Sequence, residues 1–199
     1  MSTHPGWDDS YTGAEPAPWD IGRPQPAFAR LAGEGLLRGR LLDSGCGTGE
    51  NTLLAAAAGA DAVGVDLAAT AIGRARAKAA ERHVAARFEV ADVLDLGRLG
   101  LTFDTVIDSG VFHTFDDRDR TRYVASLASV LRSGGRCYLM CFSDREPGDW
   151  GPRRIRREEL LAAFSDGWTV AGITADTFDI NPGFGGTTAQ AWLATLVRE

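Results

Sequence analysis

The chain has 199 residues, 44% of them apolar and 24% charged, with a net charge of −6 and a pI near 5.1. That length supports one domain with a full core, and the acidic balance argues against a nucleic-acid partner, because neutralising phosphates takes a basic surface. No apolar run approaches a membrane span, and the three cysteines, Cys46, Cys137 and Cys141, form neither a disulfide framework nor a metal-ligand spacing.

Residues 1–26 hold Trp7, Tyr11, Trp19 and five of the eight prolines. Pro and Gly punctuation predicts irregular structure to about Pro24, and the polar, acidic start is unlike a signal peptide. Aromatic rings in such a leader either seal an edge of the core or cover a ligand. A short helix is expected over 26–34, with Phe28, Leu31 and Ala32 as its apolar residues. An apolar run over 39–42 then ends in Asp43. Ser44-Gly45-Cys46-Gly47-Thr48-Gly49 alternates glycine with small residues, and an alanine-rich helical pattern over 51–59 follows, closed by Gly59. A strand, a tight glycine turn and a helix start form the place where an open α/β sheet holds a nucleotide-like ligand.

The residues of the turn narrow the choice of ligand. A dinucleotide fingerprint needs G-x-G-x-x-G, but the sixth position from Gly45 is Glu50 and from Gly47 it is Thr52; a phosphate-binding P-loop needs a lysine that is absent. No Lys, Arg or His lies between Leu41 and Gly73, whereas Asp43, Glu50, Asp61 and Asp66 do. A diphosphate would find only backbone N–H groups there, and a cationic ligand is favoured. Leu41 to Gly49 matches hydrophobic-hydrophobic-Asp/Glu-x-Gly-x-Gly-x-Gly at every position, and in this the chain resembles class I S-adenosylmethionine-dependent methyltransferases. The resemblance implies S-adenosyl-L-methionine as cofactor and S-adenosyl-L-homocysteine as product, held in part by Asp43, Ser44, Gly45, Cys46, Gly47, Gly49 and Asn51. The bland alternative is a glycine turn that only reverses the chain.

The next apolar run, 62–66, ends in Asp66. The resemblance implies that this carboxylate accepts from both ribose hydroxyls through charge-assisted bonds, with Leu67 against the adenine; otherwise Asp66 reads as the N-cap of a helix over 68–82. That helix carries Arg74, Arg76, Lys78 and Arg82, expected as a solvated face. Residues 87–92 alternate like a strand. Asp92 and Val93 at its end match the family's third motif, which implies an acidic partner for the adenine amine and a backbone N–H for a ring nitrogen. The strand 103–108 and the Ser109–Phe115 stretch resemble the fourth motif, which brings Asp108, Ser109 and His113 to a carboxyl strand end, where open parallel sheets hold ligands. His113 is the candidate catalytic proton acceptor, against the alternative of a core or cofactor-edge histidine with no proton role. Trp19-Asp20-Ile21-Gly22-Arg23-Pro24 resembles the leader of the thiopurine and halide/thiol methyltransferase group, with Ala17 in place of the usual Thr. Trp7 and Trp19 are thereby implied as cofactor contacts, their faces turned to a sulfonium.

Asp116 to Asp119 open an amphipathic helix with Tyr123, Leu127, Val130 and Leu131 on one stripe and Gly134-Gly135 as its stop. A strand over 136–142 leads into the Gly- and Pro-rich loop 143–152, of the kind that forms substrate lids. Arg153-Arg154-Ile155-Arg156-Arg157 reads as a solvated basic turn or an anion-steering rim before a helix over 157–164. Two strands, 168–180 and 188–197, then pair across 181–186. The expectation is an α/β, Rossmann-like, seven-stranded, mostly parallel sheet with an antiparallel final strand and helices on both faces. It forms a single methyltransferase domain, 1–199, with a cofactor-covering leader, 1–26, and a core, 27–199. The expected partner is a small-molecule methyl acceptor with S, O or N as the attacking atom; no nucleic acid, membrane or metal is called for, the location is cytoplasmic, and the protein is a monomer or homodimer. The rivals are a non-catalytic S-adenosylmethionine-binding protein and a nucleotide-cofactor oxidoreductase, against which the failed glycine spacing counts.

Overall fold

The computed structural model describes residues 6–13, 15–182 and 186–199. The elements, in chain order, are α1 (Pro26–Gly33), β1 (Arg40–Ser44), α2 (Glu50–Ala57), β2 (Asp61–Asp66), α3 (Ala69–Glu81), β3 (Arg87–Val90), β4 (Phe103–Ser109), α4 (Asp117–Val130), β5 (Leu131–Phe142), α5 (Arg157–Ala163), β6 (Trp168–Asp179) and β7 (Thr188–Arg198). One seven-stranded sheet has the order β3-β2-β1-β4-β5-β7-β6. All pairs from β3 to β5 are parallel, while β7 runs antiparallel to both of its neighbours. The expected antiparallel final strand is therefore present, inserted between β5 and β6. Of the connection expected over 181–186, residues 183–185 lie outside the described residues.

The chain winds outward from β1 to β3, then returns to β4 beside β1 and winds the other way. That reversal opens a crevice outside the carboxyl ends of β1 and β4. Strand alternation builds the layers on either side. Leu41 packs with Phe28 of α1 and Ala55 of α2, whereas Leu42 joins Tyr123, Leu127 and Val130 of α4. Ile72 and Ala75 of α3 meet Leu53 of α2 and Phe88 of β3. Leu41 and Leu42 are fully buried, and burying side chains of that size stabilises the fold by about 1.5–3 kcal/mol each. Among the described residues, no helix is long and apolar enough to cross a membrane.

One expectation needs correction. α4 stops at Val130, not at Gly134-Gly135, because Leu131 turns extended and pairs with Phe103. The glycine pair instead carries an excursion between two registers, with Leu131 opposite Phe103 and Arg136 opposite Thr105. Arg74, Arg76 and Arg82 of the α3 basic face are exposed, as expected of a solvated face, yet each residue of that face also has a partner. Arg74 donates to the Tyr11 carbonyl, Arg76 to the Phe88 carbonyl, and Lys78 and Arg82 both pair with Glu50. They tie the helix to the leader, to β3 and to the start of α2.

Candidate active site

A cleft of about 940 Å³ crosses the carboxyl ends of the central strands. The glycine turn lines it with Gly45, Cys46, Gly47 and Gly49, and Asn51 follows from the first turn of α2. Asp66 and Leu67 line it from the end of β2, Asp92 and Val93 from beyond β3, and Ser109 and His113 from beyond β4. Trp7 and Trp19 close it from the leader.

Asp43, Ser44 and Asp108 are the exceptions: they do not line the cleft but are fully buried beneath it. The pleat of β1 turns Asp43 toward α2, where Thr52 Oγ1 donates to Oδ2 at 2.6 Å, and turns Ser44 toward α4. Asp108 accepts the Val111 and Phe112 N–H groups at 2.7 and 3.1 Å. The Tyr123 hydroxyl bonds with both Ser44 Oγ (2.9 Å) and Asp108 Oδ2 (3.0 Å). Asp108 thus holds the loop after β4, while Asp43 and Ser44 tie β1 to α2 and α4. Burial pushes the carboxyls of Asp43 and Asp108 each up to about 7, and also raises Asp66. Asp43 Oδ1 is buried without a hydrogen-bond partner.

The turn itself is set by backbone. Gly45 has φ +74°, and a Cβ there would come within 2.1 Å of a Val111 methyl; only glycine meets both demands. Asp66 accepts the Gly47 N–H with Oδ2 and the Ala68 N–H with Oδ1, both at 2.9 Å, so one carboxylate fixes both the glycine turn and the start of α3. A Cβ on Gly47 would approach the Tyr11 hydroxyl to 2.9 Å, which shows how closely the leader rests on the turn.

Polar bonds fasten the leader at both ends. Asp8 accepts from the Thr70 N–H (2.7 Å) and hydroxyl (2.9 Å). Thr48 Oγ1 donates to Asp20 at 2.6 Å and accepts from Lys78 Nζ at 2.8 Å. Asn181 Nδ2 donates to the carbonyls of Ala17 and Asp20, and Asn51 Oδ1 accepts the Gln25 N–H at 3.1 Å. Trp7 and Trp19 meet edge to face at 5.9 Å, and the Trp19 indole N–H donates to the Tyr11 hydroxyl at 2.9 Å. Residues 8–11 form a 3-10 turn where irregular chain was expected. Sequence reading gave Gln25 no role and did not show the partners of Tyr11 and Asp20, since nothing local marks them.

The far end of the cleft is aromatic. The His113 and Phe142 rings meet at 4.9 Å, Phe142 and Trp150 at 5.3 Å, and Phe142 and Phe178 at 5.6 Å. The Phe142 N–H donates to His113 Nδ1 at 2.8 Å, which puts the ring proton on Nε2. Burial pushes the imidazole down to about 3. With the Nδ1 lone pair taken and the proton on Nε2, the ring offers no free lone pair, the arrangement expected of an edge histidine. The neighbouring acids are engaged as well: Asp116 caps α4 through the Asp119 N–H, and Asp179 pairs with Arg23 at 2.7 Å.

In the basic run 153–157, Arg153, Arg156 and Arg157 are exposed, as the solvated-turn reading expects, but they are paired and so form no free rim. Arg153 pairs with Asp117 and Glu159, Arg156 with Glu159, and Arg157 donates to the Ile173 carbonyl. Arg154 is spent on backbone carbonyls of the preceding loop. Phe142, Trp150 and Phe178 were not singled out from the sequence as site residues; the one signal was the length and composition of the loop that carries Trp150.

The donor end fits a cationic nucleoside ligand. It has one carboxylate facing the cleft, a second buried beneath it with one oxygen unpartnered, and no basic side chain in the turn. Two large apolar side chains that line it stay open to solvent, Trp19 at 44% and Leu67 at 40%.

Comparison with known proteins agrees. Residues 41–135 match the family described as methyltransferase domain. A 2-heptyl-1-hydroxyquinolin-4(1H)-one methyltransferase from Mycobacteroides abscessus is 34% identical over 84% of this chain and 78% of its own. A probable thiol methyltransferase from Arabidopsis thaliana is 29% identical over 77% and 69%. A solved structure from work on the conversion of a disulfide bond into a thioacetal group during echinomycin biosynthesis superposes with a TM-score of 0.88 at 36% identity, covering 96% of this chain and 91% of the other. Cradle, sheet order and relatives together establish that the chain belongs to the class I S-adenosylmethionine-dependent methyltransferases.

Proposed function

We propose that the protein transfers a methyl group from S-adenosylmethionine to a small, apolar aromatic acceptor through an S or O atom, with N as the third possibility. The observation that carries this is the division of one cleft into an acidic, backbone-rich end and an aromatic end that meet between Ser109 and His113. The cofactor, when bound, supplies a methyl group made electrophilic by a sulfonium. Gly45, Cys46, Gly47, Gly49 and Asn51 would hold its amino-acid tail, Asp66 its ribose, and Leu67, Asp92 and Val93 its adenine. Trp7 and Trp19 would cover it, their ring faces favouring a cation by about 0.5–2 kcal/mol each when partly desolvated. Asp43, Ser44 and Asp108 support these groups from below.

At the other end Phe142, Trp150 and Phe178 exclude water and align a flat acceptor. Alignment of this kind supplies roughly 7–11 kcal/mol of a barrier, so the acceptor's own acidity, with no enzyme base, provides the nucleophile. The relatives named for a hydroxyquinolone and for thiols support an acceptor that ionises readily. The three free cysteines, two of them buried, suit a reducing compartment, and we assign the protein to the cytoplasm as a single domain.

Isothermal titration with S-adenosylmethionine, followed by transfer of labelled methyl to a panel of aromatic thiols, phenols and N-hydroxyquinolones, tests the reading. Micromolar retention with turnover of at least one panel member is the expected result. Retention without any turnover would instead support a non-catalytic binding protein, and retention of a nicotinamide coenzyme in its place would sink both.

A further inference from the structure

The segment after β5 folds back on itself. Ser143 bridges Ile155, the Asp144 N–H donates to the Ile155 carbonyl at 3.1 Å, and the Ile155 N–H donates to the Phe142 carbonyl at 2.9 Å. Glu146, buried, accepts the Gln190 N–H at 2.6 Å and so fastens the root of the loop to β7. Four carbonyls of the segment then converge on one guanidinium. Arg154 donates to those of Pro152 (2.9 Å), Pro147 (3.2 Å) and Glu146 (3.5 Å), and to that of Trp150. A half-enclosed loop with its carbonyls turned inward is costly unless they are paired. Arginine suits the task because its planar fork carries five N–H donors, whereas an ammonium is a point charge with three.

The same guanidinium sits 5.7 Å from the Trp150 ring and 5.8 Å from the Phe142 ring. Both rings line the cleft and Arg154 itself does not. We propose that Arg154 is the positioning residue that shapes the acceptor end: its donors hold residues 146–152 in one conformation, present Trp150 edge-on to Phe142, and thereby select which flat apolar acceptors enter. The proposal rests on reading that end of the cleft as the acceptor chamber.

Arg154→Ala, Arg154→Lys, Trp150→Ala and the Arg154→Ala/Trp150→Ala double variant test it, assayed with the best acceptor of the panel and by limited chymotrypsin cleavage after Trp150. Arg154→Ala is expected to raise the acceptor KM about tenfold, with kcat and S-adenosylmethionine affinity within about twofold, a split that mere loss of stability does not produce. Cleavage after Trp150 should quicken by a similar factor, since it reports the opened loop. Arg154→Lys, which keeps charge and stem, should behave like Arg154→Ala and carries the test if the alanine variant does not fold. The double variant should be no worse than Trp150→Ala alone, because Arg154 acts through that ring. Unchanged KM with unchanged cleavage, or effects that multiply in the double variant, would overturn the proposal. If the wild-type protein methylates nothing in the panel, the methyl-acceptor reading falls, and the cleavage rates alone decide whether Arg154 pins the loop.

Discussion

The two ends of the cleft are built by different means. The heart of the donor end is the glycine turn and the end of β2, joined by Asp92 and Val93 and covered by the leader, and its shape is backbone shape: a positive φ at Gly45, and two N–H groups on Asp66. The acceptor end is made of side chains from His113, Phe142, Trp150 and Phe178, brought together by the β5–β7–β6 pairing and by the loop that Arg154 holds. Backbone geometry tolerates few residue types, whereas an aromatic wall can be rebuilt from many. Under the proposed function, the first end fixes the chemistry and the second is free to change the substrate.

The largest effect that would sharpen this contrast is at Asp66. Asp66→Ala strands the Gly47 and Ala68 N–H groups, and bonds to a charged acceptor contribute about 1.5–3 kcal/mol each. S-adenosylmethionine affinity should drop roughly a hundredfold or more, read by isothermal titration. An affinity close to that of the wild type would show that the turn does not depend on this carboxylate, and the division between the ends would lose its basis.

Phe178→Leu should act on the other end alone. Leucine keeps much of the apolar volume but removes a ring face, a contact worth about 0.5–1.5 kcal/mol beyond buried area. The acceptor KM should rise by about three- to tenfold with cofactor affinity unchanged. A matching loss of cofactor affinity would mean that the two ends are coupled.

The same contrast explains what the sequence made legible. The donor end was readable because glycines at Gly45, Gly47 and Gly49 and the acids closing the first two strands are local marks of a backbone that needs them. The succession of strands and helices followed from alternating apolar runs and helical patterns. What could not be read was direction: nothing in Leu-Leu-Asp-Ser says that Asp43 and Ser44 point down into the protein and not up into the cleft. The partners of Arg154 and of the α3 cations were equally hidden, since a run of basic residues looks the same whether it faces water or carbonyls. Gly134-Gly135 misled because a helix stop and a strand excursion require the same conformational freedom.

A smaller effect concerns pH. Burial lifts Asp43 from 3.8 to about 7, so its folded carboxyl is partly protonated at neutrality. For an acid shifted upward, the contribution to stability is present below 3.8 and is lost as pH rises through about 7. A bound cation favours the ionised form and reverses that loss. S-adenosylmethionine affinity should therefore climb a few-fold between about pH 6 and 8, and Asp43→Asn should make the climb shallower, the remainder falling to Asp108, which burial raises to about 7 as well. An equal slope in the variant would assign the titration elsewhere.

The smallest effect is expected at His113, where it decides most about mechanism. Its imidazole is held down to about 3 from 6.5, so the unfolded chain binds the proton and the folded one does not between those values. The stability it contributes is full above 6.5 and is lost as pH falls toward 3. At assay pH the ring is neutral, with Nδ1 occupied by the Phe142 N–H. In His113→Asn a side-chain oxygen can take that N–H in place of Nδ1 while the titrating group disappears. The pH–rate profile of methyl transfer should keep its shape from about pH 6 to 9, and the variant should unfold at a lower pH than the wild type. A profile that loses its acidic limb in His113→Asn would restore the proton-accepting role, and would place at the acceptor end a chemical demand as strict as the one the glycine turn meets at the donor end.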